Sequence, residues 1–119
     1  MENTVFYLPA CDSCRKIIKA ISPNAKLLYH DIKQNPITAL QLEELQTLAG
    51  SYEALFSRKA QLYKAYNLKN QTLCEADYKK YLLEHYTFLA RPVFVIDQQI
   101  YIGNNPTTVA RALAALAHD

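Results

Sequence analysis

The sequence predicts an α/β protein, because the spacing of its apolar residues changes period twice along the chain. It opens with short β-branched and aromatic runs around one helical pattern, keeps helical spacing from about residue 38 to 86, and then returns to two short apolar runs and a last helix. No repeat, low-complexity segment or Gly/Pro-rich linker interrupts it, so the expectation is one domain over residues 1–119 with helices interposed at about 38–86.

Each element has its own signal. Thr4-Val5-Phe6-Tyr7-Leu8 is β-branched and aromatic and is closed by Pro9, which predicts a strand. Ile17, Ile18, Ala20 and Ile21 fit the buried face of a helix from Asp12 to Ile21, broken by Ser22-Pro23-Asn24. Lys26 to Ile32 reads as a second strand. A strand, a helix and another strand favour parallel pairing through a right-handed crossover.

In the middle, Thr38 and Gln41 have capping-box spacing, and Ile37 and Leu42 are placed as a hydrophobic staple. Leu42, Leu45, Leu48 and Ala49 supply a buried stripe, and Gly50 suits a left-handed stop. Further helical pieces are expected over Ser51–Phe56, over Arg58–Tyr66 with Leu62, Ala65 and Tyr66 on one side, and over Glu75–His85 with Tyr78, Tyr81, Leu82 and Leu83 inward or half-inward. Pro92 to Ile96 and Ile100 to Ile102 form a hairpin about Asp97-Gln98-Gln99. Asn105-Pro106 reads as an N-cap and first helical position, ahead of a helix carrying Val109, Ala112, Leu113 and Leu116. Strand–helix–strand, several helices, then hairpin–helix is a thioredoxin-like layout.

Composition narrows the function. Half the residues are apolar and a fifth charged, as in an ordinary globular domain, and the longest apolar runs fall well short of a membrane span. A net charge of +2 lacks the strongly basic face of a nucleic-acid binder, so neither direct nucleic-acid binding nor membrane insertion is expected. Met1-Glu2-Asn3-Thr4 has no positive n-region and a cysteine pair follows soon after, so we expect no export signal and a cytoplasmic setting. Three cysteines in a reducing compartment do not form a disulfide framework.

The chemistry concentrates at Cys11-Asp12-Ser13-Cys14, between the first strand and the first helix. Free N–H groups and the positive end of the helix dipole stabilise an anion there, so Cys11 should be more acidic than a free thiol, and a two-residue spacer lets the sulfurs join. Arg15, Lys16 and Lys19 add either a local positive field or a solvated helix surface. Two other readings of the pair stay open. Inert burial is one, and a structural metal is the other. The metal would need two more ligands, whereas Cys74, His30 and His85 are scattered singles, and with His118 the histidines suggest no triad. No metal is assigned. Cys74 reads as a packing or capping residue, and the nine tyrosines as half-buried packing.

Three stretches together carry a resemblance. Tyr7-Leu-Pro-Ala-Cys-Asp-Ser-Cys-Arg15, Leu89-Ala90-Arg91-Pro92-Val93 and Ile102-Gly103-Asn104-Asn105 resemble the signature of the arsenate reductase/Spx family over nearly the whole chain. The resemblance implies that Cys11 matches the nucleophilic cysteine of arsenate reductases and the first cysteine of the Spx redox switch. Cys14 matches the second switch cysteine, which glutaredoxin-dependent arsenate reductases generally lack. Arg58 matches an anion-binding or partner-contacting arginine, Arg91 the arginine before the proline, and Pro92 a cis-proline facing the active cysteine. Gly50 and Arg58 also match the pair with which Spx-type regulators engage the RNA polymerase α subunit. One departure stands out: where the arsenate-binding branch has a further arginine, this chain has Gly103-Asn104-Asn105.

The expectation is therefore a thiol–disulfide oxidoreductase related to arsenate reductases, with Cys11 attacking and Cys14 resolving. Arg15 would lower the Cys11 pKa, and Arg58, Arg91 and Pro92 would help bind a small anionic or disulfide substrate. No cofactor is expected to be bound, and glutathione, a glutaredoxin or a thioredoxin would serve as reductant. The alternatives are a redox-sensing regulator that binds the RNA polymerase α subunit, and a glutaredoxin-dependent arsenate reductase.

Overall fold

The computed structural model describes residues 1–117, so His118 lies outside the described residues. The chain falls into two compact units, one made of residues 1–35 with the segment from Arg91 onward, the other of residues 36–90.

The first unit holds the sheet. Strands β1 (Thr4–Tyr7), β2 (Leu28–Asp31), β3 (Val93–Ile96) and β4 (Gln99–Ile102) lie in the order β2-β1-β3-β4. β2 is parallel to β1, and both β3 pairings are antiparallel, with Val5 opposite Phe94 and Phe94 opposite Tyr101. β3 is buried along its whole length, which is why Val93-Phe94-Val95-Ile96 has no polar alternation. At its end Asp97 and Gln98 both take positive φ, the geometry of a two-residue hairpin turn. Helices α1 (Asp12–Lys19) and α5 (Pro106–Ala117) supply Ile17, Ile18, Ala112 and Leu116 to a core with Val5, Phe94 and Ile96. The Asn105 side chain accepts the Thr107 N–H at 2.9 Å, the cap that Asn105-Pro106 foretold.

Two elements of this unit differ from expectation by more than one residue at a boundary, for local reasons. The strand expected over Lys26–Ile32 shortens to β2, because its partner β1 offers four residues. Leu28 and Tyr29 are exposed on this edge. α1 ends at Lys19 rather than Ile21, since Ala20 and Ile21 close the helix with tight i→i−3 bonds to Ile17 and Ile18.

The second unit is helical. α2 (Ala39–Ala49) starts with the Thr38/Gln41 capping box and stops at Gly50, whose φ of 93° is the left-handed conformation a side chain would resist. The helix expected over Ser51–Phe56 is a 3₁₀ turn at Glu53–Leu55. That expected over Arg58–Tyr66 shrinks to α3 (Gln61–Ala65), because Ser57 Oγ accepts the Lys59 N–H at 3.3 Å and holds the chain in a local turn. With little more than one helical turn, Ala65 and Tyr66 stay exposed. α4 (Glu75–Glu84) buries Tyr78 and Leu82 but leaves Leu83 outside. The C-terminal end of the unit is tied to its middle by Ser57 N–H to Phe88 O at 2.7 Å and Ala90 N–H to Leu55 O at 2.8 Å. Phe88, in an unforeseen 3₁₀ turn at Tyr86–Phe88, is fully buried and stacks on Phe56 at 5.3 Å. Among the described residues, no helix is long and apolar enough to cross a membrane.

The core of the first unit makes a quantitative prediction. Phe94 is 1% exposed between strands and helices, so Phe94→Ala should cost about 3–5 kcal/mol in urea unfolding. A loss below about 1 kcal/mol would contradict this packing.

Candidate active site

A tight turn hands the chain from β1 to α1. Leu8 O accepts the Cys11 N–H at 3.0 Å, and Pro9 occupies the second turn position, where its fixed φ belongs. Cys11 thereby becomes the N-cap of α1, with extended backbone (φ −85°, ψ 121°), and its carbonyl accepts the Arg15 N–H at 3.0 Å. Its side chain forms no ordinary cap hydrogen bond in the neutral state. The free N–H groups of the first turn act on the charged form of the sulfur instead.

The two thiols are driven apart. Burial alone pushes the Cys11 thiol up. The backbone N–H of Cys14, the Cys14 thiol, the Arg91 guanidinium and the N–H of Ser13 together outweigh it and hold Cys11 below the ordinary thiol value. Cys14 is fully buried, and that burial is the main cause of a pKa pushed up to about 11. A backbone hydrogen bond from Leu8 pulls it partly back. The charge of Cys11 and the hydrogen bond between the thiols raise it again, while Arg91 lowers it. Both cysteines are free thiols in this structure, Cys11 half-buried.

Arg91 is half-buried and precedes Pro92, with which it forms a cis peptide bond. Pro92 is buried, and its carbonyl accepts the Gly103 N–H at 2.9 Å. Arg15 is bound instead to Asp12, one turn back on the exposed side of α1. The Arg91 guanidinium is a cation that helps to lower the Cys11 pKa. Arg58 belongs to the second unit, outside any helix, where its guanidinium donates to Glu53 Oε2 at 2.6 Å and to the Tyr78 hydroxyl at 3.1 Å. Cys74 caps α4, its own N–H donating to the Asp77 carboxylate at 2.9 Å, and is exposed. Among the described residues no cluster of three His, Cys, Asp or Glu side chains could hold a metal ion.

Sequence reasoning missed the parts that three residues play here. Glu53 and Tyr78 hold Arg58, and their spacings of five and twenty residues carry no recognisable pattern. Asn104 donates from its side-chain amide to Ser13 Oγ at 3.1 Å, across most of the chain length. The sequence marked Asn104 as part of the Ile102-Gly103-Asn104-Asn105 stretch, but nothing in it pointed to Ser13 as its partner.

A four-stranded sheet flanked by helices, with a cysteine pair at the first helix start and a cis-proline at the start of a neighbouring strand, defines a thioredoxin-fold thiol protein. Residues 6–112 match the ArsC family, and the chain belongs to that family. It is 27% identical to an arsenate reductase of Haemophilus influenzae over 118 residues, covering 95% of this chain and all of the relative. It is also 22% identical to the global transcriptional regulator Spx 1 of Bacillus cereus, covering 92% and 86% of the two chains. An ArsC-family-related protein from Bacteroides fragilis shares the fold with a TM-score of 0.78 at 22% identity, covering 94% of this chain and 98% of that one. An arsenate reductase from Vibrio cholerae does so at 0.73 and 21%, covering 93% and 97%.

The opposed thiols predict a pH-dependent order of labelling. In a Cys74→Ser background, limiting iodoacetamide near pH 7 should modify Cys11 first, since its thiolate persists below the ordinary range, while Cys14 should ionise only near pH 11. Arg91→Ala should move the Cys11 midpoint to higher pH, because it removes a positive charge that favours the thiolate. Equal labelling of Cys11 and Cys14 at pH 7 would contradict the arrangement.

Proposed function

We propose that this protein is a thiol–disulfide oxidoreductase in which Cys11 is the attacking thiolate and Cys14 the resolving thiol. The observation that carries this reading is the opposite displacement of two thiols within one motif: the accessible one is acidified and the buried one is held protonated.

The Cys11 thiolate attacks one sulfur of a disulfide substrate, forming a mixed disulfide and releasing the other sulfur as a thiolate that takes up a proton. That bond removes the charge of Cys11, and with it two of the causes that raise the Cys14 pKa. Cys14 is therefore easier to deprotonate once substrate is attached. Its thiolate attacks Cys11 Sγ, releases the second substrate thiol and leaves a Cys11–Cys14 disulfide. The substrate has gained two electrons and the protein has lost two. An external thiol, glutathione or a glutaredoxin or thioredoxin, returns them, and the reducing cytoplasm is where we expect the cycle to run. Arg91 favours the anion at both sulfurs. The Arg15–Asp12 pair is exposed, and such a pair holds by only about 0–1 kcal/mol, so Arg15 is available to an anionic substrate.

Arsenate is a poorer substrate in this reading. A multiply charged oxyanion must approach a thiolate that repels it, and Gly103-Asn104-Asn105 supplies no cation where the family resemblance implies an arginine. A missing charge-assisted hydrogen bond removes ~1.5–3 kcal/mol, or about one to two orders of magnitude. Turnover of a small disulfide with glutathione should fall to background in Cys11→Ser. Cys14→Ser should accumulate a mixed disulfide at Cys11, seen by mass spectrometry. Arsenate turnover with glutaredoxin should be about ten- to a hundredfold slower than disulfide turnover. Efficient arsenate reduction that survives Cys14→Ser and is lost in Cys11→Ser would refute this assignment.

A second reading is favoured by the similarity to Spx regulators, in which the same disulfide would act as a sensor. Gly50 and the exposed Arg58 would then face the RNA polymerase α subunit. Co-purification with that subunit, lost on Arg58→Glu and altered by oxidation, would favour it.

A further inference from the structure

The three residues after the sheet each hold a different part of the first unit. β4 ends at Ile102, and Gly103 turns the chain with a φ of 92°. Its N–H is bound to the Pro92 carbonyl at 2.9 Å, so the bend is pinned to the start of β3. Asn105 caps α5 through the Thr107 N–H at 2.9 Å. Asn104, between these two fixed points, has its backbone constrained from both sides, and its amide Nδ2 reaches Ser13 Oγ at 3.1 Å.

Ser13 is not an arbitrary anchor. It is the second residue of α1, and the N–H groups at the second and third positions of a helix are those that an N-cap side chain normally takes. At this helix the N-cap is Cys11, and the N–H groups of Ser13 and Cys14 are the two backbone donors that favour its thiolate. How well those N–H groups point at sulfur depends on how firmly the first helical turn is held. A side-chain bond from a distant part of the sequence, the one from Asn104, reaches that turn.

We propose that Asn104 is a positioning residue for the Cys11 thiolate: its hydrogen bond to Ser13 Oγ fixes the first turn of α1 so that the turn's backbone N–H groups are aimed at Cys11 sulfur. The inference deepens the oxidoreductase reading and rests on Cys11 being the reactive thiol. It also gives the Gly103-Asn104-Asn105 segment a task of its own in place of a cation: it tunes the nucleophile through the backbone rather than binding an oxyanion. A neutral amide suits this role, because it contributes a donor without adding a charge that would compete with Arg91 beside the sulfurs.

The test is the pH dependence of Cys11 alkylation in the full chain carrying Cys74→Ser, with iodoacetamide as probe and peptide mapping to assign the label. Asn104→Ala and Ser13→Ala should each raise the Cys11 midpoint by about half a pH unit, the scale of one exposed hydrogen bond acting through a neighbour. Both act through a single bond, so the double variant should shift no further than either single one. Far-UV circular dichroism and the thermal midpoint report whether helix content is retained. If Asn104→Ala unfolds, Ser13→Ala reads the same bond from its other end. Unmoved midpoints in folded single variants overturn the proposal, and so do additive shifts in the double variant. Thiol ionisation, not turnover, is the readout. A wild-type level of disulfide turnover in Cys11→Ser would thus defeat the oxidoreductase reading without altering these midpoints.

Discussion

A helix must begin somewhere, and its first N–H groups have no partners within the helix itself. In this protein that requirement falls on Cys11, because the turn from Leu8 to Cys11 leaves a thiol where an oxygen-bearing side chain would ordinarily stand. A neutral thiol is a weak acceptor and a thiolate a strong one. The unmet hydrogen-bonding demand of α1 is therefore satisfied best when Cys11 is ionised, and the helix itself acts as the base-weakening device. The placement of β1 and the tight turn put Cys11 at this helix start, and the charge of Arg91 favours the same ionised form.

The two members of the pair differ in surroundings more than in chemistry. Cys14, three residues further along, is fully buried, and that burial keeps its proton on. Arg91 lowers both pKa values; Cys14 is set apart by its deeper burial and by the charge of Cys11, and Cys11 by the N–H groups of Ser13 and Cys14. A resolving thiol that stayed ionised would compete for substrate. In the proposed cycle, one that is kept protonated until its neighbour loses charge would impose an order on the two attacks.

Much of this was readable in advance where a single residue type enforces a local geometry. Thr38 with Gln41, Gly50, and Asn105 with Pro106 each marked a helix end that the structure contains, because caps and left-handed stops act over a few neighbouring residues. The Cys11–Cys14 pair at the head of α1 was visible for the same reason. The helix around Arg58 was misjudged, because Ser57 competes for a nearby N–H and that competition leaves no trace in apolar spacing. The same holds for partners distant in sequence. Arg15 looked like the cation of the site since it is next to Cys14, yet it turns to Asp12, while Arg91 arrives from the far side of the chain. Charge in space follows topology, and a window of a few residues does not contain it.

The division of the chain has a bearing on its birth at the ribosome. The helical unit is continuous in sequence, from Pro36 to Ala90, so all its partners have been synthesised before β3 exists. The sheet-bearing unit is the opposite: Thr4 waits for Val95, and Val5 for Phe94, before the central strand pairing can form. The first cysteines to be made are among the last residues to be enclosed, since the core beside α1 also needs Ala112 and Leu116. Domains tend to assemble as their chains emerge, and pairings between distant segments form late. The nascent protein thus carries its most reactive motif uncovered through nearly the whole of translation, which a reducing compartment tolerates and an oxidising one would punish with mispaired thiols.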